Sequence, residues 1–184
     1  MIRWLLSWRL RSFERSFDYD VSYGRDILDA SLIAFLRFAP ISALSAHRQD
    51  IPREAWYAAK LATTVAEDCG PCTQLVVTMA ERDGVEPATL RAILSGDEAT
   101  MSPDAALGFR FANAVLRRDL VDGDRLRNQV ITRWGKRALV SLALTIAASR
   151  VFPAVKYALG HGKACARVQV GGSETEVTHA TSAA

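Results

Sequence analysis

The fold class is decided by residues 52–84, which read PREAWYAAKLATTVAEDCGPCTQLVVTMAERDG. Apolar residues recur at helical spacing on both sides of a cysteine pair. Pro52 and Glu54 suit a helix start, because the first turn does not use the N–H that proline lacks and the positive end of the helix dipole favours an acid. The stretch therefore predicts two helices, over about 52–68 and 72–84.

Helical patterns also fill most of the chain on either side of this pair. They cover residues 2–17, 25–46 with a break near Pro40, 87–94, 102–118, 122–132 and 136–159. From residue 168 onward the pattern fails, and Gly171-Gly172-Ser173 opens a polar tail that we expect to be disordered. Because no set of bounded alternating runs indicates several strands, we predict an all-α, single-domain helical bundle. It would have an N-terminal arm over 1–20, a domain over 21–168 and a disordered tail over 169–184.

Composition excludes several classes of protein. Of 184 residues, 49% are apolar and 23% charged, which argues against disordered chains, collagen-like repeats and disulfide scaffolds. The longest apolar run, residues 138–148, is shorter than the roughly 20 residues that span a membrane, so it predicts a buried helix. The N-terminus does not read as a signal peptide, and three cysteines are too few for an extracellular framework. These features predict a cytoplasmic location.

The net charge of +3 lies in residues 1–17, which hold four arginines and one glutamate, so the rest of the chain sums to zero. A nucleic-acid-binding protein should concentrate positive charge on its folded body, and we expect no such partner here. Apolar side chains among these arginines predict an amphipathic helix. It could anchor to a membrane surface, but we favour an arm that packs on protein, because apolar helical stripes usually do. Its large aromatic side chains would otherwise be exposed, which predicts a homo-oligomer.

The sharpest chemical signal is Cys69-Gly70-Pro71-Cys72. Cysteines three residues apart on a first helical turn share a face, with Cβ atoms about 5–6 Å apart, from which a disulfide can close. N–H groups at the start of a helix also stabilise a thiolate. We expect Asp68 to be the N-cap of this helix. The motif predicts redox chemistry rather than a pair of inert core thiols.

Cys-Gly-Pro-Cys also ends the thioredoxin signature, but there it follows a buried strand, and here it follows a helical pattern. The chain instead resembles the carboxymuconolactone decarboxylase / alkyl hydroperoxidase D-like family. The likeness is carried by residues 58–72, by 73–85 and by 142–150 with Tyr157-Ala158-Leu159-Gly160, and spans about residues 52–162. It implies an all-α fold that oligomerises, with thiol peroxidase or disulfide reductase activity and no cofactor.

Two positions depart from the family pattern. Peroxidases of this family carry a histidine four residues after the second cysteine, where this chain has Val76, and a glutamate twelve residues before the first, where it has Tyr57. Only Cys69 and Cys72 carry over as catalytic residues. The nearest replacement acid is Glu67, which becomes a third catalytic candidate, with a solvated helix-end carboxylate as the alternative interpretation.

The expected activity is a dithiol–disulfide cycle on a peroxide or disulfide substrate, reset by a thiol reductant that the sequence does not identify. The order of attack stays open at this point. Helix-dipole reasoning favours the cysteine nearer the free N–H groups, whereas the resemblance favours Cys72.

Two other functions are compatible with the sequence. Cys69 and Cys72 could form a zinc site with His161 and Cys165, although a single Cys-x-x-Cys is a weak zinc signal. Alternatively, Cys165 is a small buried apolar residue, and a third possibility is a resolving or regulatory thiol. The other alternative is a non-catalytic helical oligomerisation module, in which replacing either cysteine of the pair would change only stability.

Overall fold

The computed structural model describes residues 2–163 and 167–178 of the chain. The helices are α1 (Ile2–Phe17), α2 (Ser22–Ala30), α3 (Leu32–Phe38), α4 (Ile41–Ala46), α5 (Arg53–Ala66), α6 (Gly70–Arg82), α7 (Pro87–Ser95), α8 (Pro103–Arg117), α9 (Leu120–Trp134) and α10 (Lys136–Ala158). Two short strands follow, β1 (Arg167–Val170) and β2 (Ser173–Glu176). The predicted all-α class is confirmed, since the described chain is mostly helical.

Helix α5 forms the centre of the fold. Its residues from Ala55 to Val65 are all buried, and its most extensive packing is against α8. At the crossing of these helices, a Cβ atom on Gly108 would lie 2.2 Å from the Ala55 carbonyl oxygen. The two backbones therefore approach as closely as they do only because position 108 is glycine.

The region predicted as one helix over 25–46 contains an additional break. As well as the turn at Ala39-Pro40, the chain leaves the helix at Ser31, whose φ and ψ are −156° and 112°. The Ser31 hydroxyl accepts a hydrogen bond from the Ala34 N–H and so caps α3. Serine is a favoured N-cap residue because its hydroxyl oxygen accepts a hydrogen bond from a first-turn N–H that has no partner within the helix. The apolar periodicity continued across this break and gave no sign of it.

The prediction that the chain is disordered from residue 169 is wrong for residues 169–178. There β1 and β2 pair antiparallel, with Val170 opposite Ser173. The turn is Gly171-Gly172, and both glycines have positive φ, as a two-residue hairpin turn requires. Val168 and Val170 alternate with exposed neighbours and are buried in the main core. The hairpin starts at Arg167, so it crosses the predicted boundary between domain and tail. Residues 179–184 lie outside the described part of the chain.

The N-terminal arm forms the predicted helix, α1. Its second half packs Leu10, Phe13 and Phe17 against a small cluster that contains Tyr19 and Tyr23. Its first half is more open to solvent, with Trp4 68% exposed and Trp8 48% exposed.

Helix α10 packs mainly against α4, α5 and α9. By length and composition it is apolar enough to cross a membrane, although its sequence has no long uninterrupted apolar run. Ala138, Leu142 and Ile146 place part of this helix in the main core. The expectation of a buried helix therefore holds for one face of α10.

Candidate functional site

The cysteine pair lies at the junction between α5 and α6, where it forms a disulfide with a Cα–Cα distance of 5.2 Å. Cys69 is the N-cap residue of α6, and Pro71 occupies its first turn. Asp68, which we expected to be the N-cap, instead adopts a positive φ of 50° and turns the chain out of α5. The N-cap of α6 is therefore one residue later than predicted, because Asp68 belongs to the turn that precedes this helix.

The two sulfur-bearing residues differ in their surroundings. Cys69 is fully buried, while Cys72 is 5% exposed and lines a cavity of about 1020 Å³. The Tyr19 hydroxyl lies 3.9 Å from the Cys72 Sγ atom. Since a disulfide sulfur carries no proton, the hydroxyl is the donor in this contact. Cys72 is therefore the member of the pair that faces both the cavity and a hydrogen-bond donor.

A buried lysine, Lys156, contacts Tyr19. The Lys156 Nζ atom donates a hydrogen bond of 3.3 Å to the Tyr19 hydroxyl and lies 4.6 Å from the centre of the Tyr19 ring. Lys156 is 1% exposed, and burial lowers its pKa. Burial also raises the pKa of Tyr19, with a further contribution from Tyr23, so its hydroxyl stays protonated. Together these groups form a chain from Lys156 through Tyr19 to Cys72.

Sequence reasoning missed both residues of this chain. Tyr19 and Lys156 are 137 positions apart, and neither belongs to a motif. The available signal was weak: a lysine near the end of a long apolar helix, one turn after Pro153. Such a lysine is more often directed to solvent, because long charged side chains extend their head groups into water.

The predicted acid, Glu67, directly follows α5 and is not among the residues that line the cavity beside Cys72. Its carboxylate accepts a hydrogen bond of 2.5 Å from Arg150. The two family positions lie closer to Cys72, because Tyr57 and Val76 both line the same cavity. The Tyr57 hydroxyl donates to the Met79 carbonyl, and burial, with a contribution from Asp83, raises the pKa of Tyr57 to about 12.

Three of the four residues of the zinc hypothesis, Cys69, Cys72 and His161, are described, and they form no group that is placed to hold a metal ion. The ring of His161 lies against Asp26, with Nε2 and Oδ2 2.7 Å apart. Cys165 lies outside the described residues. Within the described ranges, no group of three or more His, Cys, Asp or Glu side chains is placed to hold a metal ion.

The cavity beside Cys72 is formed between the arm, α2–α4 and the central helices. Its inner wall consists of one face of α5 and one face of α6, at residues Trp56, Lys60, Thr64, Cys72, Val76 and Met79. Aromatic side chains from other elements complete it, at residues Phe13, Phe17, Phe35, Phe38 and Phe152. Polar and charged side chains also line this space, at residues Arg9, Ser42, Ser45, Arg48, Lys60, Thr64, Arg82, Asp83 and Ser149. Among the charged ones, Arg48 pairs with Asp83, and Arg82 donates to the Ser16 carbonyl.

Comparison of the chain with protein-family models, with curated proteins and with solved structures found no significant match.

Proposed function

We propose that this protein is a thiol–disulfide oxidoreductase that cycles between a Cys69/Cys72 dithiol and its disulfide. The observation that supports the proposal is the contact between Cys72, the cysteine that lines the cavity, and the Tyr19 hydroxyl held by Lys156. The resemblance of residues 52–162 to the carboxymuconolactone decarboxylase / alkyl hydroperoxidase D-like family agrees with this chemistry and is part of the proposal.

Cys72 is the attacking residue in this proposal, and Cys69 resolves. With a peroxide, the Cys72 thiolate attacks one oxygen, the O–O bond breaks, and an alkoxide leaves and takes up a proton. The Cys69 thiol then attacks the Cys72 sulfenic acid, so that the S–S bond forms and water leaves. With a disulfide substrate, Cys72 forms a mixed disulfide and Cys69 displaces the second thiolate. An external thiol reductant returns two electrons and two protons to the pair.

Tyr19 and Lys156 take the place of the histidine and glutamate that the family uses. In the reduced protein, a hydrogen bond from Tyr19 stabilises the Cys72 thiolate, and the positive charge of Lys156 strengthens that bond. The same hydroxyl is the nearest proton donor for the departing alkoxide, and Lys156 donates to the hydroxyl in turn. Glu67, which pairs with Arg150, is not needed in this scheme.

The test compares two tyrosine variants of the full chain. We expect Tyr19→Phe to raise the pKa of the Cys72 thiol and to slow peroxide or disulfide turnover by about 100-fold, the lower end of what acid–base catalysis supplies. Tyr57→Phe is the matched control, because its hydroxyl also lines the cavity but donates to a backbone carbonyl. If both variants react at the same rate and with the same thiol pKa, the role of Tyr19 is refuted.

The principal alternative is a non-catalytic helical module, in which the disulfide only fastens α5 to α6. That alternative predicts that Cys72→Ser lowers stability. It also predicts that the unaltered chain has no redox activity, so the substitution cannot reduce any. Measuring turnover and unfolding on the same preparation separates the two functions.

A further inference from the structure

The cavity beside Cys72 contains a buried cation that the proposed redox cycle does not use. Lys60 is 6% exposed, and its Nζ atom donates a hydrogen bond of 2.9 Å to the Ser45 carbonyl. The same atom lies 4.4 Å from the centre of the Trp56 ring. Burial lowers the pKa of Lys60 to about 8, so the ammonium form still predominates at neutral pH. A charge buried against a carbonyl and an aromatic ring is only partly compensated.

A second polar group in the same cavity lacks a partner. The Ser149 Oγ atom is buried and has no hydrogen-bond partner among residues 2–163 and 167–178. Ser149 is 3% exposed and lines the cavity. Leaving a buried hydroxyl unsatisfied costs about 1–3 kcal/mol, which is unusual unless a bound molecule supplies the missing partner.

The two groups are connected through the Ser45 carbonyl and one turn of α10. The Ser45 carbonyl that accepts from Lys60 also accepts a hydrogen bond of 3.1 Å from the Thr145 hydroxyl. Ser149 is four residues after Thr145 on α10, which is about one helical turn, or roughly 6 Å along the axis. A buried ammonium and an unpaired hydroxyl thus lie about one helical turn apart along these contacts and line the same cavity.

Aromatic rings elsewhere in the lining favour a ligand with an apolar part. Phenylalanine rings from α1, α3 and α10 line the cavity, and its volume lies at the upper end of the range for small-molecule sites. We propose that this cavity binds an organic carboxylate with an apolar tail, whose carboxylate accepts hydrogen bonds from Lys60 and Ser149. The tail then lies in the space that Cys72 also lines. Any role of this ligand as a redox substrate rests on the function proposed above, whereas the binding does not.

The proposal is tested with decanoate, titrated into the full chain by isothermal calorimetry. We expect saturable binding at one site per chain, with decanol binding about tenfold more weakly because it lacks the charge that Lys60 recognises. Lys60→Met should weaken decanoate binding about tenfold and leave decanol binding unchanged. Lys136→Met, which replaces an exposed lysine at the start of α10, is the control and should bind like the unaltered chain.

Ser149→Ala provides a second variant that retains the charge, and it should weaken decanoate binding several-fold. Equal binding of decanoate to the Lys60→Met variant and the unaltered chain would overturn the proposal, as would decanol binding as tightly as decanoate. Light scattering during the titration provides a further check. If decanoate binds only when a dimer of the chain dissociates, the cavity is part of an interface between two copies, and the proposal is also overturned.

The Cys69→Ser/Cys72→Ser double variant distinguishes this inference from the proposed function. It should bind decanoate with unchanged affinity, because the proposed hydrogen bonds to the carboxylate come from Lys60 and Ser149 and not from either sulfur. Decanoate binding by a chain whose cysteines prove redox-inert refutes only the oxidoreductase proposal. An active dithiol cycle without decanoate binding refutes only the inference.

Discussion

Replacing Lys60 by methionine should stabilise the protein. The two side chains have similar lengths, and the methionine carries no charge to be buried beside Trp56. The Ser45 carbonyl, which loses its bond from Lys60, keeps the hydrogen bond from Thr145. No buried acceptor is therefore left without a partner, and the substitution removes a destabilising charge without creating a new defect.

The magnitude follows from the lowered pKa of Lys60. Burial lowers this pKa from 10.5 to about 8, and each unit of difference corresponds to about 1.4 kcal/mol. At neutral pH the folded chain therefore holds the charged lysine at a cost of about 3 kcal/mol, which Lys60→Met removes. For a chain of this length, that gain corresponds to an increase in Tm of about 6–12 °C.

The lowered pKa of Lys60 also determines how the stability of the unaltered chain changes with pH. Below pH 8 the lysine is charged in both the folded and unfolded states, so the full cost is present. As pH rises from about 8 to 10.5 the folded chain loses the proton while the unfolded chain retains it, and the unaltered protein gains stability. The advantage of Lys60→Met is therefore largest at neutral pH and shrinks towards pH 10.5.

Urea unfolding at pH 7 and at pH 10 checks this reasoning, because only the difference between the two chains is compared and other titrating groups cancel. Lys136→Met is the control, since an exposed substitution should change the free energy of unfolding by less than about 0.5 kcal/mol. A destabilised Lys60→Met variant at pH 7, or a gain that is the same at both pH values, would refute the account of Lys60 as a buried, poorly compensated charge.

Three further predictions concern packing, assembly and catalysis. Gly108→Ala should destabilise the fold by at least about 1–3 kcal/mol in chemical denaturation, because its Cβ would meet the Ala55 backbone; an unchanged midpoint would show that the two helices separate freely. Trp8→Ser should shift the predicted homo-oligomer towards a 20.2 kDa chain in light scattering, and a monomer before substitution would remove the basis for this prediction. Glu67→Gln should leave turnover within a few-fold, since its carboxylate pairs with Arg150; a loss as large as that of a general acid would restore its catalytic role.

The helical part of the fold was largely predictable from local pattern. Apolar spacing and proline positions placed α5 and α6, because both signals report a helix that buries one or more faces. The hairpin at the C-terminus was missed because its apolar signal rests on two alternating valines, Val168 and Val170, too few to stand out in a polar segment. Its glycine pair was interpreted as flexibility, whereas it forms the two-residue turn that closes the hairpin.

The candidate site was predictable only in part. Cys69 and Cys72 are visible because the chemistry requires them at a fixed spacing. Tyr19 and Lys156 contact each other across 137 positions, and such a contact depends on how the arm and α10 pack, not on any local pattern. The same holds for Lys60, because no pattern within α5 shows that this position lines a cavity.

The central claim is that Cys69 and Cys72 interconvert between dithiol and disulfide, and mass spectrometry of the full chain tests it most directly. After peroxide treatment, the peptide that contains both cysteines should lose the mass of two hydrogens and regain it with a dithiol reductant. The Cys165→Ser variant should behave in the same way, which assigns the change to this pair. A peptide that stays reduced under excess peroxide, or a loss that depends on Cys165, would contradict the account.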